Sequence, residues 1–292
     1  MKQHHHALEV GDIFVLPVTK IRPTQFSIGL VSVDCKKRQV EEVFANGRMD
    51  DFLRQEGRLV PVVLGPDQEL YITDHHHLST AVWRADIPPE EKHVYGFILH
   101  DWSDKHPDRF WQEMIEGNLT WLYDDKGGGP VNPYLLPKSI GHILNDPYRT
   151  LSRWLRDCGC YTKDSLKDKT RLVDIHEKYV PTTQAKAFFI EFRWANFLRE
   201  NVKLELKKAD FSRTCETMPY SSIYLSKEVD ALIKAFDIVV SLIGCMQLRG
   251  VTYDKHGCLV KKPHDESPHH RITDVETQLD SEAGRNGSKK GH

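Results

Sequence analysis

The chain has 292 residues, of which 39% are hydrophobic and 28% charged, with a formal net charge of −2 at pH 7. That length accommodates one large or two small domains with ample core, and the near-neutral balance offers no global basic field for nucleic acid or an acidic membrane surface. The longest apolar run, Ile238 to Met246, is interrupted by Ser241 and Gly244 and is too short to span a bilayer.

The six cysteines (35, 158, 160, 215, 245 and 258) lack zinc-finger spacing, and Cys158-Gly159-Cys160 is the only close pair. With no secretory signal at the N-terminus, reduced thiols in a cytoplasmic protein are the expectation.

Residues 1–7 read as a disordered N-terminus. Asp12 to Val18 reads as a short strand and leads into a turn over Ile21 to Gln25, stiffened by Pro23, whose ring fixes φ. Gly29 follows, then Val31, Val33, Lys36 and Lys37, with a helix predicted up to Leu53. Leu59 to Leu64 and Leu70 to Ile72 are β-prone, and Gly65-Pro66-Asp67-Gln68 between them reverses the chain. From Leu78 the period changes: Leu78, Ala81, Val82 and Ala85 fall at i, i+3, i+4 and i+7, the buried stripe of a helix. Val94 to Leu99 is a third β-prone run. His100 and Asp101 stand at its tip, where such folds often carry chemistry. The order β, α, β, β, α, β makes residues 8–105 a compact α/β module.

Residues 106–250 read as a helical region packed on that module. Asp108 to Leu119 is amphipathic. Lys126-Gly127-Gly128-Gly129-Pro130 is a loop without a phosphate-binding fingerprint, since no Gly-Lys-Ser/Thr follows. Pro137 begins another predicted helix. Asp146-Pro147 supplies an N-cap and first helical residue for a helix carrying Tyr148, Leu151, Trp154 and Leu155 and closing at Gly159. The spacing of Phe188, Phe189, Phe192, Trp194 and Phe197 fits a packed helix face better than a base-stacking surface. Ser226 opens the clearest helix, with Val229, Leu232, Ile233, Phe236, Val240 and Ile243 in helical period, halting near Gly250; it is buried or faces a partner. The composition of residues 251–292 is that of a disordered tail.

The polar cluster Asp74-His75-His76-His77 therefore falls where a strand ends and a helix begins. Asp74 is placed to cap the helix. The free amides of residues 76 to 78, with the helix dipole, make a seat for an anion, phosphate above all. The imidazoles can donate to phosphate oxygens or move a proton near neutral pH. The plainer alternative is a set of solvated polar residues. A metal site fits poorly, because adjacent helical residues point about 100° apart and the His-x-x-x-His spacing is absent.

Arg22-Pro23-Thr24-Gln25 with Gly29 and Lys36, Val62-Val63-Leu64-Gly65-Pro66 and Asp74-His75-His76-His77-Leu78 form an ordered series with later pieces. These are Phe110-Trp111, Leu136-Pro137-Lys138-Ser139-Ile140, Asp146-Pro147-Tyr148-Arg149-Thr150-Leu151 and Phe192-Arg193-Trp194-Ala195-Asn196-Phe197-Leu198. Through this series the chain resembles the ParB-like family, a branch of the ParB/sulfiredoxin superfamily usually described as nucleases. The resemblance covers about residues 8–200 and implies an α+β fold, a small mixed-sheet α/β domain followed by a helical region. It implies a strand-to-helix junction that holds nucleotide phosphates. In sulfiredoxins and free serine kinases that junction serves ATP- or ADP-dependent phosphoryl transfer; in partition proteins it binds and hydrolyses CTP.

The kinase form of the junction reads Asp-Gly-His-His-Arg. Here Asp74, His76 and His77 match, His75 stands in place of the glycine and Leu78 in place of the arginine. The first change restricts close backbone approach to phosphate; the second removes a bidentate clamp, for which Lys36 or Lys138 would substitute as a point charge.

Three functions follow. The first is nucleotide-dependent phosphoryl transfer or nucleotide hydrolysis, with Asp74, His76 and His77 catalytic. Gln25, Lys36, His75, Leu78, Lys138 and Ser139 would line the site for ATP, ADP or CTP with Mg²⁺, and a small molecule would be the acceptor. The second is a nuclease, for which nucleic acid is a partner the charge does not favour. The third is a non-catalytic nucleotide- or partner-binding module.

Overall fold

A computed structural model describes residues 8–157, 161, 189–206, 222–243, 252–253 and 258–260. Five strands form one mixed sheet: β1 (Ile13–Pro17), β2 (Ile21–Pro23), β4 (Val60–Leu64), β5 (Leu70–Ile72) and β6 (His93–Asp101), in the order β1-β6-β4-β5-β2. β1 runs antiparallel to β6 and β4 antiparallel to β5, whereas β6–β4 and β5–β2 are parallel. Ile21–Pro23 is thus a strand and not the expected turn. Its proline is tolerated because β2 lies at the sheet edge, where a missing N–H leaves no ladder bond unmade.

Side chains of the central strands alternate between two cores. Val60, Val62, Ile72, Val94 and Ile98 enter the larger one, and Val63, Tyr71, Phe97 and Leu99 the smaller one. On the larger side lie α1 (Leu30–Ala45), α2 (Met49–Leu53), α3 (His76–Arg84), α5 (Pro147–Asp157), α6 (Ile190–Asn201) and α7 (Ser222–Ile243). The smaller side is closed by α4 (Pro107–Glu116) with Leu119, Leu122 and Leu136. Full burial of each such side chain is worth about 1.5–3 kcal/mol.

The predicted helix up to Leu53 is two helices, α1 and α2, broken at Gly47, whose φ of 64° ends the first. Pro137 starts no helix; only a short 3₁₀ turn, Ile140–His142, follows it. α5 begins as expected, with Asp146 accepting from the Tyr148 amide at 3.0 Å, while Gly159 lies outside the described residues. Phe192 packs as predicted, but Phe189 is half-buried and stands before α6 as its N-cap, Phe197 is half-exposed, and Phe188 lies outside the described residues. α7 starts four residues before Ser226 and buries Val229, Leu232, Phe236 and Val239 in the larger core, so that face is packed within the chain.

Within the expected tail, β8 (Thr252–Tyr253) pairs antiparallel with β9 (Leu259–Val260), and Cys258 is disulfide-bonded to Cys35. The expectation of reduced thiols is corrected at these two residues. They are 223 positions apart, and only the folded chain brings their Cα atoms to 5.6 Å. The other four cysteines lie outside the described residues, as do residues 1–7 and 261–292. Among the described residues no helix is long and apolar enough to cross a membrane.

Candidate functional site

Two further short strands set the geometry. β3 (Ser27–Ile28) pairs in parallel with β7 (Leu144–Asn145), and each runs directly into a helix, β3 into α1 and β7 into α5. The N-termini of α1 and α5 are therefore held side by side. Gly29 makes this approach possible: a Cβ there would lie 2.3 Å from Thr150 Oγ1 and 2.8 Å from the Thr150 amide nitrogen. Asn145 accepts from the Leu30 amide at 3.0 Å, so β7 also caps α1.

The junction after β5 joins the same point. α3 starts at His76, two residues earlier than its apolar period indicates, and its N-cap is His75 rather than Asp74. His75 has φ 61° and ψ 21°, the left-handed conformation for which glycine is the usual residue. Asp74 is exposed and its Oδ1 accepts from the His75 amide at 2.6 Å. The His76 ring is buried and its Nε2 accepts from the Thr24 amide at 3.1 Å; His77 Nε2 accepts from the Gly29 amide at 3.3 Å. Both rings therefore act as acceptors that tie α3 to the loop entering α1, and the proton of each neutral ring is left on Nδ1. Burial lowers the pKa of His76 to about 3 and holds His77 well below the usual imidazole range, helped at His77 by the charges of Arg149, Arg153 and Lys36.

Those three cations are the feature that sequence reasoning underweighted. Arg149, Arg153 and Arg156 fall at i, i+4 and i+7 on α5, and Lys36 projects from α1. Arg153 pairs with Asp157, and Arg156 pairs with Glu191 and Asp157. Among the described residues, Asp157 and Glu191 are the carboxylates paired with this arginine stripe. Burial, followed by repulsion from Arg153 and Arg58, lowers the Lys36 pKa to about 8. Arg149 is 8% exposed, and its Nε and Nη1 make no hydrogen bond with any of the described residues. Its Nη2 lies 3.8 Å from Glu191 Oε1, and its guanidinium rests 5.0 Å from the centre of the Phe192 ring. Ser32 Oγ and Thr150 Oγ1, on the same two helices, are also buried without a partner.

Unpaired buried guanidinium nitrogens are costly, about 1–3 kcal/mol for each unsatisfied group. A phosphate supplies the missing acceptors, and an arginine fork suits its geometry. The donor set therefore fits a phosphate. It does not provide a cage for a metal: no group of three or more His, Cys, Asp or Glu able to hold an ion occurs among the described residues. A Mg²⁺ ion accompanying a nucleotide would be held chiefly by the phosphates themselves.

The remaining predicted site residues are dispersed. Leu78 is buried in the larger core. Gln25 is buried beside the junction, its amide donating to the Ser27 carbonyl at 2.9 Å. Lys138 lines a separate cleft of about 260 Å³ with Arg22, Tyr71, Phe110, Trp111 and Tyr134, on the side of the sheet covered by α4. Ser139 precedes the 3₁₀ turn, its carbonyl accepting from the His142 amide at 3.1 Å. Of the two lysines proposed to replace the lost arginine, Lys36 acts on the His77 ring, and Lys138 belongs to the other cleft. His100 stacks on Trp102 at 4.6 Å and Asp101 accepts from Ser103, so both have local structural partners.

The family model described as "Putative ParB-like nuclease" matches residues 15–173, more than half of the chain. The chain belongs to the ParB-like family. The ParB-like match runs from the middle of β1 through α5 and takes in the junction, Lys36 and Arg149. Protein Atu1540 from Agrobacterium tumefaciens, known from a crystal structure, is similar at 25% identity and a TM-score of 0.50, over 78% of this chain and 91% of that one. No curated protein matches the chain. The mixed α+β architecture with its five-stranded sheet is that of a ParB-like domain.

Proposed function

We propose that this ParB-like protein binds a nucleotide by its phosphates at the Lys36–Arg149–Arg153 cluster and acts on that phosphate ester at the neighbouring junction. The observation that carries the reading is the buried Arg149 guanidinium, with two nitrogens that make no hydrogen bond among the described residues, beside Lys36 and Arg153 at the His77 ring. In this reading Lys36 and Arg149 neutralise phosphate charge. Ser32 and Thr150 offer hydroxyl donors, and Asp74, the exposed carboxylate of the junction, orients the acceptor or takes its proton. His76 and His77 hold the loop and the helix start in register. Mg²⁺, when bound with the nucleotide, adds charge neutralisation.

The test is a thermal-shift titration with ATP, ADP, CTP and tripolyphosphate, with and without Mg²⁺. A ligand present at 100 times its Kd stabilises by about 2.7 kcal/mol, and the shift should be lost in Lys36→Met. It should also fade as pH rises past about 8, where Lys36 gives up its proton. Absence of any shift, or one that persists unchanged in Lys36→Met, would overturn the binding site. Full turnover by Asp74→Asn would remove that residue from the chemistry.

The family description supports a second reading, a nuclease acting on a phosphodiester at the same cluster. Release of shorter fragments from a single-stranded oligonucleotide, with mononucleotides untouched, would favour it.

A further inference from the structure

The proposed phosphate cluster is bordered by aromatic side chains that no part of the phosphate chemistry requires. Trp121 is tied to the junction through its backbone: its amide donates to the Thr24 carbonyl at 2.9 Å, and it forms a parallel bridge with Gln25. The Thr24 amide in turn donates to His76. The Trp121 ring is half-buried and stacks on Phe192 at 5.2 Å and 20°, with Tyr123 at 4.7 Å and Phe189 at 5.5 Å. Phe192 carries the Arg149 guanidinium at 5.0 Å. Two contacts of about 5 Å through one ring bound the separation of the Trp121 ring and the guanidinium at about 10 Å. Trp121, Tyr123 and Phe189 remain half-buried around the buried Phe192, so this is an edge of the packing and not its centre. Phe189 is also held at φ 58°, a left-handed conformation that costs free energy in a bulky residue and tends to occur at ligand sites.

We infer that the Trp121–Tyr123–Phe189 wall receives the base of the ligand whose phosphates sit on Arg149 and Lys36. What this adds to the nucleotide reading is the place of the base: the side chains that would tell a nucleotide from a phosphate chain without one. The inference rests on the phosphate site proposed above. A base would present its flat π-face to the aromatic edge, and the phosphates, reaching across the separation of about 10 Å, would supply the acceptors that Arg149 lacks. Recognition by stacking tolerates different bases, because each of them has a π-face.

The experiment is calorimetric titration of the full chain with ATP, CTP and tripolyphosphate, repeated for Trp121→Leu and Trp121→Phe, with the melting temperature of each variant as a folding control. The wild-type protein should bind ATP and CTP at least about tenfold more tightly than tripolyphosphate, since base–aromatic stacking is worth about 1–3 kcal/mol. Trp121→Leu should lose that advantage with tripolyphosphate affinity unchanged, and Trp121→Phe should keep most of it. Equal wild-type affinity for tripolyphosphate and the nucleotides, or nucleotide affinity undiminished in Trp121→Leu, overturns the base site and leaves the phosphate site standing. Failure of the wild type to bind any of the three probes overturns both. Should Trp121→Leu not fold, indole fluorescence decides: ATP must quench emission that is present in the wild type and missing from Trp121→Phe, and an identical quench in the two proteins refutes the assignment.

Discussion

Replacing Arg149 by methionine separates a functional arginine from a structural one, because the two make opposite forecasts for stability. Arg149 is 8% exposed, with Nε and Nη1 unpaired, so the ligand-free fold bears an unsatisfied cost of about 2–6 kcal/mol at about 1–3 kcal/mol per group. Methionine keeps the unbranched stem packed. What it forfeits is the contact with Phe192, about 0.5–2 kcal/mol, and a loose attraction to Glu191, which retains its bond to Arg156. The balance, roughly 0–5.5 kcal/mol with a midpoint of about 3 kcal/mol, favours the variant, as when buried ionic groups give way to apolar ones. At about 2–4 °C per kcal/mol, the melting temperature should rise by several degrees. Affinity for tripolyphosphate should fall. Two charge-assisted hydrogen bonds at about 1.5–3 kcal/mol each correspond to a loss of roughly 10²–10⁴-fold. Differential scanning fluorimetry and calorimetric titration read the two quantities on one preparation. A lower melting temperature with unchanged tripolyphosphate affinity would refute the reasoning and make Arg149 a structural residue.

The buried His76 gives the fold an acid limit. The His76 pKa is lowered to about 3 from an ordinary 6.5, so its stabilisation is complete above pH 6.5 and drains away as pH falls toward 3, by up to about 1.4 kcal/mol per pH unit. His76→Gln keeps an acceptor for the Thr24 amide without titrating; melting curves between pH 4 and 8 should therefore be flatter for the variant, and parallel curves would count against the assignment. Gly29→Ala forces a methyl group against the Thr150 backbone and should cost at least about 1–3 kcal/mol in urea denaturation, an unaltered midpoint being the contrary result. Cys35→Ser opens a closure of 223 residues, for which chain entropy gives an upper bound of about 5 kcal/mol. The same loss should appear in wild-type protein under reductant, and a reductant-insensitive melting temperature would contradict the linkage.

The sequence by itself located the strand-to-helix junction, because a switch from β-prone residues at Leu70–Ile72 to helical period from Leu78 is a local signal of backbone preference and burial. It likewise placed the Asp146 cap, whose partner is only two residues away, and the ordered motifs of the ParB-like family. It misread Ile21–Pro23, since a proline in an edge strand looks local but is decided by the neighbouring strand. What only the tertiary structure decided is which residues face one another. The parallel pairing of Ser27–Ile28 with Leu144–Asn145 sets α1 beside α5, and that alignment brings Lys36, Arg149 and Arg153 to His77. A basic residue every turn of a helix reads in sequence as a solvated face. The packing of α6 against α5 buries Arg149 instead, and burial turns an ordinary surface charge into an unpaired donor set that calls for an anion.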